Sequence, residues 1–178
     1  MSVAIIGMGT GTSLSVEAIQ LLQSAKLIVG GTRQLQDVET LCSGSKMWDL
    51  TGRLAEIESI VAQAVSENQP VAIVASGDPM YFGIGGYLAR KLKSRGIEPT
   101  VLSSPSAIAV AAARFGIKWD DAAVVSAHGR QLPNIGRLLR QSGKLALFTD
   151  SINTPSLIAQ KLLEAGIVKG TVYLAEAL

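Results

Sequence analysis

A chain of 178 residues has room for one domain or two small ones. Hydrophobic side chains make up 48% of it and charged ones 17%, which supplies a real core and argues against disorder. The net charge of +2, with no Lys/Arg block or basic-aromatic interleaving, argues against a nucleic-acid partner; a small polyanion met by a few placed arginines stays compatible. The only cysteine, Cys42, cannot form an internal disulfide and points to a reducing compartment. With no His or Cys near it, Cys42 reads as a small buried hydrophobe rather than a nucleophile. Residues 1–7 have no basic segment ahead of an apolar one, so no signal peptide is read. No apolar run approaches the roughly 20 residues that span a bilayer. A cytoplasmic protein with no membrane contact is expected.

Short apolar runs alternate with longer amphipathic ones. Residues 3–6 predict a buried strand, and 14–24 a helix with Leu14, Ala18, Leu21 and Leu22 on one face. A strand at 26–29 closes on Gly30-Gly31, and a helix at about 32–41 and a short strand at 46–49 follow. The spacing of Leu54, Ile57, Ile60, Val61, Ala64 and Val65 predicts a helix over 53–66. Pro70 opens a strand at 71–75 that is apolar throughout, as a strand covered on both faces should be. A turn-rich stretch, 76–86, leads into a helix at 87–94, a strand at 97–102 and a small-residue helix at 107–115. The charged, Gly-containing connection at 116–121 reads as a linker, which places domains at 1–117 and 118–178. The second domain is expected to hold strands at 122–126, 145–149 and 171–175, with helices at about 135–141 and 154–165. The alternation defines an α/β class.

The segments that could carry chemistry sit at predicted strand ends. Gly7-Met8-Gly9-Thr10-Gly11 follows the first strand, where glycines let a backbone approach a ligand closely or simply make a tight turn. A dinucleotide fingerprint fails here. Thr12 stands where its third glycine belongs, and Gly30-Gly31 where its acidic residue belongs. No Gly-Lys-Ser/Thr is present, so a phosphate-binding P-loop fails too. The stretch Ser76-Gly77-Asp78-Pro79-Met80-Tyr81-Phe82-Gly83-Ile84-Gly85-Gly86 is longer than a turn around Asp78-Pro79 needs. In a parallel sheet it opens at the same end as the first glycine cluster. Ser103-Ser104-Pro105-Ser106-Ala107 enters the small-residue helix, with Ser106 equally readable as a helix cap. Ser126-Ala127-His128-Gly129-Arg130 ends the first strand of the second unit. As the only histidine, His128 leaves no multi-His metal site and no evident triad, so no metal is expected. A structural role and a site role for His128 both remain open.

Taken in order, these segments resemble the tetrapyrrole (corrin/porphyrin) methylase family, and within it the precorrin-6Y methylase, or cobalt-precorrin-7 (C5)-methyltransferase, branch. The residues carrying this are 3–11, then Val29-Gly30-Gly31-Thr32-Arg33-Gln34-Leu35, and Gly77-Asp78-Pro79 with Phe82-Gly83-Ile84-Gly85. Pro105-Ser106-Ala107 with Ala111-Ala112-Ala113-Arg114-Phe115-Gly116, Ser126 to Arg130, Leu147-Phe148-Thr149-Asp150 and Thr154-Pro155 complete the match. The resemblance implies two small α/β domains with S-adenosylmethionine (SAM) in the cleft between them, and a homodimer. It implies that Gly7, Gly9, Thr10, Gly11, Gly77, Asp78, Tyr81, Ser106 and Ala107 line the SAM pocket, with Leu147 added from the second domain. His128 and Arg130 mark the branch and are placed toward the macrocycle. Arg33, Arg114 and Arg130 are candidates for gripping its carboxylates.

The implied activity is SAM-dependent methylation of carbon 5 of a precorrin or cobalt-precorrin in cobalamin biosynthesis. The alternatives are a methylase of the same fold acting on another substrate, such as rRNA or a protein side chain, and a non-catalytic SAM- or nucleotide-sensing module. No catalytic base is named; alignment of the two reactants is the main service expected of the protein. Two departures stand out. The first loop reads Thr10-Gly11-Thr12 where Pro-Gly-Asp often follows, and the chain stops at Leu178 where relatives continue into further strand structure. The second domain is therefore expected to be incomplete at its C-terminus. The domain that in some relatives methylates carbon 15 and decarboxylates an acetate is not part of this sequence, so only carbon 5 is expected.

Overall fold

A computed structural model of the protein describes residues 2–10, 14–176 and 178. By its internal contacts the chain divides into two compact units, Met1–Ser106 and Ala107–Leu178.

In the first unit, strands β1 (Val3–Gly7), β2 (Leu27–Gly30), β3 (Lys46–Asp49), β4 (Val71–Ala75) and β5 (Thr100–Leu102) form one sheet in the order β3-β2-β4-β1-β5. All its pairings are parallel, with Val3 opposite Val71, Ala4 opposite Thr100 and Leu27 opposite both Lys46 and Val71. Helices cover both faces, so the central strands are apolar on both sides. Alternation along each strand sorts the core. Ala4, Ile6, Ile28, Ala72 and Val74 pack with Ala18 and Leu22 of α1 (Val16–Ser24) and with Leu35 and Val38 of α2 (Thr32–Val38). Val3, Ile5, Val29, Val71 and Ile73 pack instead with Ile57 and Val61 of α3 (Ile57–Ser66) and with Leu88 and Leu92 of α4 (Gly85–Lys93). Cys42 is buried in the α1 and α2 layer, and burial pushes its thiol up, away from the reactive thiolate.

Caps explain where these helices differ from the periodicity. Helix α1 starts after Ser15, whose backbone is extended and whose Oγ accepts from the Ala18 N–H at 3.1 Å. The predicted helices at 32–41 and 53–66 each include a single 3₁₀ turn, Glu39–Leu41 after α2 and Leu54–Glu56 before α3. Strand β5 is shorter than predicted because the Ile97 N–H donates to Leu92 O at 3.0 Å, closing α4 beside Gly96 at φ +74°.

The second unit pairs β6 (Ala123–Ser126) with β7 (Leu145–Phe148) in parallel, linked through α6 (Ile135–Ser142). Helix α5 (Ala107–Phe115), placed by the sequence reading in the domain before it, lies beside β7 in this unit. Helix α7 (Pro155–Glu164) opens on Thr154, whose Oγ1 accepts from the Leu157 N–H at 3.2 Å. The strand predicted at 171–175 is a correction. Those residues have no regular structure, and Val172 and Leu174 are 80% and 62% exposed. The run has strand composition, but a strand exists only when its N–H and C=O groups meet a neighbour, and no described strand pairs with it. Among the described residues no helix is long and apolar enough to cross a membrane.

Candidate functional site

Strand β4 lies between β2 and β1. The helices after β1 and β2 pack on one face of the sheet, and the helix after β4 packs on the other. Neighbouring connections therefore leave in opposite directions, which puts the switch point of the sheet, where ligand crevices form in sheets of this kind, at the carboxyl ends of β1 and β4. Glycines meet there. Gly9 N–H donates to Gly77 O at 3.2 Å and Gly77 N–H donates to Gly9 O at 2.9 Å, while Met8 N–H donates to Ala75 O at 2.8 Å. Gly9 and Gly77 lie at φ +59° and +57°, where a side chain is strained. A Cβ on Gly7 would come within 2.7 Å of both Gly77 O and the Pro79 ring.

The loop after β4 is braced from within and from β5. The Asp78 carboxylate accepts from the Met80 N–H at 2.8 Å and from the Ser103 hydroxyl at 2.7 Å. Ser104 Oγ donates to Gly7 O at 2.7 Å, and Gly85 N–H donates to Pro79 O at 2.7 Å. Gln34 of α2 donates to Ser76 Oγ at 2.9 Å. The rings of Tyr81 and Phe82 meet edge to face at 5.0 Å, and burial pushes the Tyr81 phenol up. Phe82 holds φ +57°, uncommon for an aromatic residue.

Gly7, Gly9, Gly77 and Asp78 are thus brought together, with Tyr81 further along the same loop. Thr10 follows Gly9 half-buried, and Ser106 is buried. Arg33 stands exposed in the first turn of α2. Gly11, with Thr12 beside it, lies outside the described residues. Ser103 and Ser104 were not among the expected site residues. Their position just past β5 was the available signal, but their partners lie far along the chain.

In the second unit, the 127–130 loop is tied to residues 149–153 beyond β7. Ala127 N–H donates to Phe148 O at 2.9 Å, and Gly129 N–H donates to the Asp150 carboxylate at 2.8 Å. That carboxylate also accepts from the N–H groups of Ile152 at 2.9 Å and Asn153 at 2.6 Å. Asn153 Nδ2 donates to Ala127 O at 2.8 Å and to Arg130 O at 3.3 Å. The Asn153, Gly129 and Ile152 N–H groups hold the Asp150 carboxyl below the usual range; partial burial opposes them and the nearby His128 adds to them. His128 Nδ1 lies 3.2 Å from Thr149 O on an exposed ring. Leu147 is half-buried in β7, Ala107 begins α5, and Arg114 is exposed in the last turn of α5. Asp150 and Asn153 were absent from the expected site. Among the described residues no group of three or more His, Cys, Asp or Glu could hold a metal ion.

A parallel sheet covered by helices on both faces, with glycine loops at its switch point, defines a doubly wound α/β protein. Residues 2–178 match the family Tetrapyrrole (Corrin/Porphyrin) Methylases, and the chain belongs to that family. It is 33% identical over 178 residues to the precorrin-6Y C(5,15)-methyltransferase [decarboxylating] of Sinorhizobium sp, an alignment covering 98% of this chain and 41% of that relative. It is 27% identical over 165 residues to the cobalt-precorrin-7 C(5)-methyltransferase of Salmonella typhimurium, covering 91% of this chain and 78% of that one. The chain thus spans well under half the length of the first relative. In fold it is similar to the uroporphyrin-III C-methyltransferase of Thermus thermophilus solved with S-adenosyl homocysteine. That likeness has a TM-score of 0.70 at 24% identity, covering 93% of this chain and 73% of the other.

Proposed function

We propose that the protein is a SAM-dependent methyltransferase acting on carbon 5 of a precorrin or cobalt-precorrin in cobalamin biosynthesis. The observation that carries this is the Gly9–Gly77 bridge at the β1/β4 switch point, a floor without side chains held rigid on both sides. Two named relatives act on carbon 5 by their names, and a solved neighbour holds the demethylated donor.

The proposed SAM site is the glycine-lined carboxyl end of β1 and β4. Gly7, Gly9 and Gly77 keep the floor low, Asp78 braces its wall through Ser103 and Met80, and Thr10, Tyr81 and Ser106 complete the first-unit candidates. Ala107 and Leu147 are the candidates from the second unit. When bound, SAM supplies a methyl group on a positively charged sulfur, already electrophilic toward an electron-rich ring carbon. The chain's own task is then to hold and align two reactants. Arg33, Arg114 and Arg130 carry guanidinium forks suited to the carboxylates of a tetrapyrrole. A homodimer in the cytoplasm completes the proposal.

Calorimetric titration with SAM and with S-adenosyl homocysteine tests the reading. Micromolar binding, about −8 kcal/mol, is expected for both. No binding to a folded sample would remove the methyltransferase reading, and binding without turnover of a corrin precursor would leave a sensing module instead.

A further inference from the structure

We infer that Asp150 and Asn153 are positioning residues that hold His128 as its Nδ1–H tautomer, presenting the Nε2 lone pair to the electron-poor centre of the macrocycle. The tautomer follows from the hydrogen bond. Thr149 O, 3.2 Å from Nδ1, is a carbonyl oxygen and can only accept, so Nδ1 must carry the hydrogen. In the neutral ring, Nε2 is then the acceptor. The backbone around His128 is fixed from both sides. Asp150 takes the Gly129 N–H, and Asn153 takes the carbonyls of Ala127 and Arg130. Asp150 is itself held by the Ile152 and Asn153 N–H groups. The loop is tied to residues 148–153, and the His128 ring is exposed.

The inference rests on the proposed function in one respect, that the tetrapyrrole meets this loop. A tetrapyrrole offers carboxylates at its rim, which accept, and at its centre either ring N–H groups or a bound cobalt, which takes an electron pair. Neutral His128 in this tautomer has nothing to donate at Nε2, so it matches the centre and not the rim. Arg130 is donor-only and matches the rim. Neighbouring residues of one loop thus divide the recognition of the ring from that of its carboxylates.

His128 is the only histidine in the chain, so a long-range ¹H–¹⁵N spectrum of the labelled chain reads a single imidazole. Above about pH 8, where an ordinary imidazole is neutral, a protonated-type Nδ1 and a pyridine-type Nε2 are expected. The reverse pattern would overturn the inference. Asp150→Asn and Asn153→Ala are expected to shift the spectrum toward a mixture of tautomers while SAM affinity stays within about twofold. An unchanged tautomer in both folded variants would also overturn it.

The second arm uses uroporphyrin III and its cobalt(II) complex as probes. His128→Asn keeps a donor where Nδ1 stands and removes the Nε2 acceptor, whereas His128→Gln does the reverse. His128→Asn is expected to weaken binding of one probe about tenfold, and His128→Gln to weaken it less. Loss on the cobalt probe, with its absorbance shift abolished, identifies cobalt as the partner; loss on the metal-free probe identifies the ring N–H. Equal binding of both probes by His128→Asn and the parent chain would overturn the inference. Failure of SAM to bind would remove the proposed function and leave the tautomer result standing.

Discussion

Gly9 and Gly77, one after β1 and the other after β4, donate to each other's carbonyls at 3.2 and 2.9 Å with both backbones in the left-handed region. This reciprocal pair locks the two loops at the switch point of the sheet. An alanine at position 77 would take a conformation that costs about 1–2 kcal/mol for a residue with a Cβ. Gly77→Ala is expected to lower stability by that amount and to weaken SAM binding at least about tenfold, read by urea unfolding and calorimetry. Parent-like SAM affinity in Gly77→Ala would remove this floor from the binding site.

Asp78 and Ser103 are joined across the β4 and β5 loops at 2.7 Å. If the bond braces the crevice, Ser103→Ala and Asp78→Asn should each weaken SAM binding, and the double variant should lose less than their sum. A coupling of about 0.5–1.5 kcal/mol is expected from a double-mutant cycle. Additive losses would mean that the two residues act separately.

The Asp150 carboxyl is held low first by the Asn153 N–H, then by the N–H groups of Gly129 and Ile152. A carboxyl whose folded pKa is depressed contributes stability that is complete above its unfolded value of about 3.9 and is lost as pH falls through the folded value. The parent chain should therefore lose stability on acidification below about pH 5 more steeply than Asp150→Asn. Urea midpoints collected from neutral pH downward measure both slopes, and equal slopes would exclude Asp150 as a source of acid sensitivity.

Ile73 is fully buried at the centre of the sheet, whereas Val172 is 80% exposed. Ile73→Ala is expected to cost about 2–5 kcal/mol, and Val172→Ser no more than about 0.5 kcal/mol, by urea unfolding. A core-sized loss at Val172 would show that residues 171–175 are packed in solution.

Much of the first unit was legible in the sequence. Buried parallel strands read as unbroken apolar runs, so residues 3–6 and 71–75 announced themselves, and the glycine loops at 7–11 and 76–86 stood at their ends. Helix ends were less legible, because Ser15 and the Ile97 N–H act through local hydrogen bonds that periodicity does not register. The run at 171–175 misled because composition reports what a segment can do and not whether a neighbour is there to pair with it.

The sequence by itself determined the α/β class, the order of the elements in the first unit, the family and the loops in which the candidate site residues stand, because these depend on local pattern and on motifs contiguous in the chain. Only the tertiary structure decided that β4 sits between β2 and β1, that Gly9 bonds Gly77, that Ser103 braces Asp78, and that Asp150 and Asn153 hold the loop of His128. Each of these joins residues far apart along the chain. Strand order and the direction of each crossover bring them together, and no local propensity encodes such a pairing.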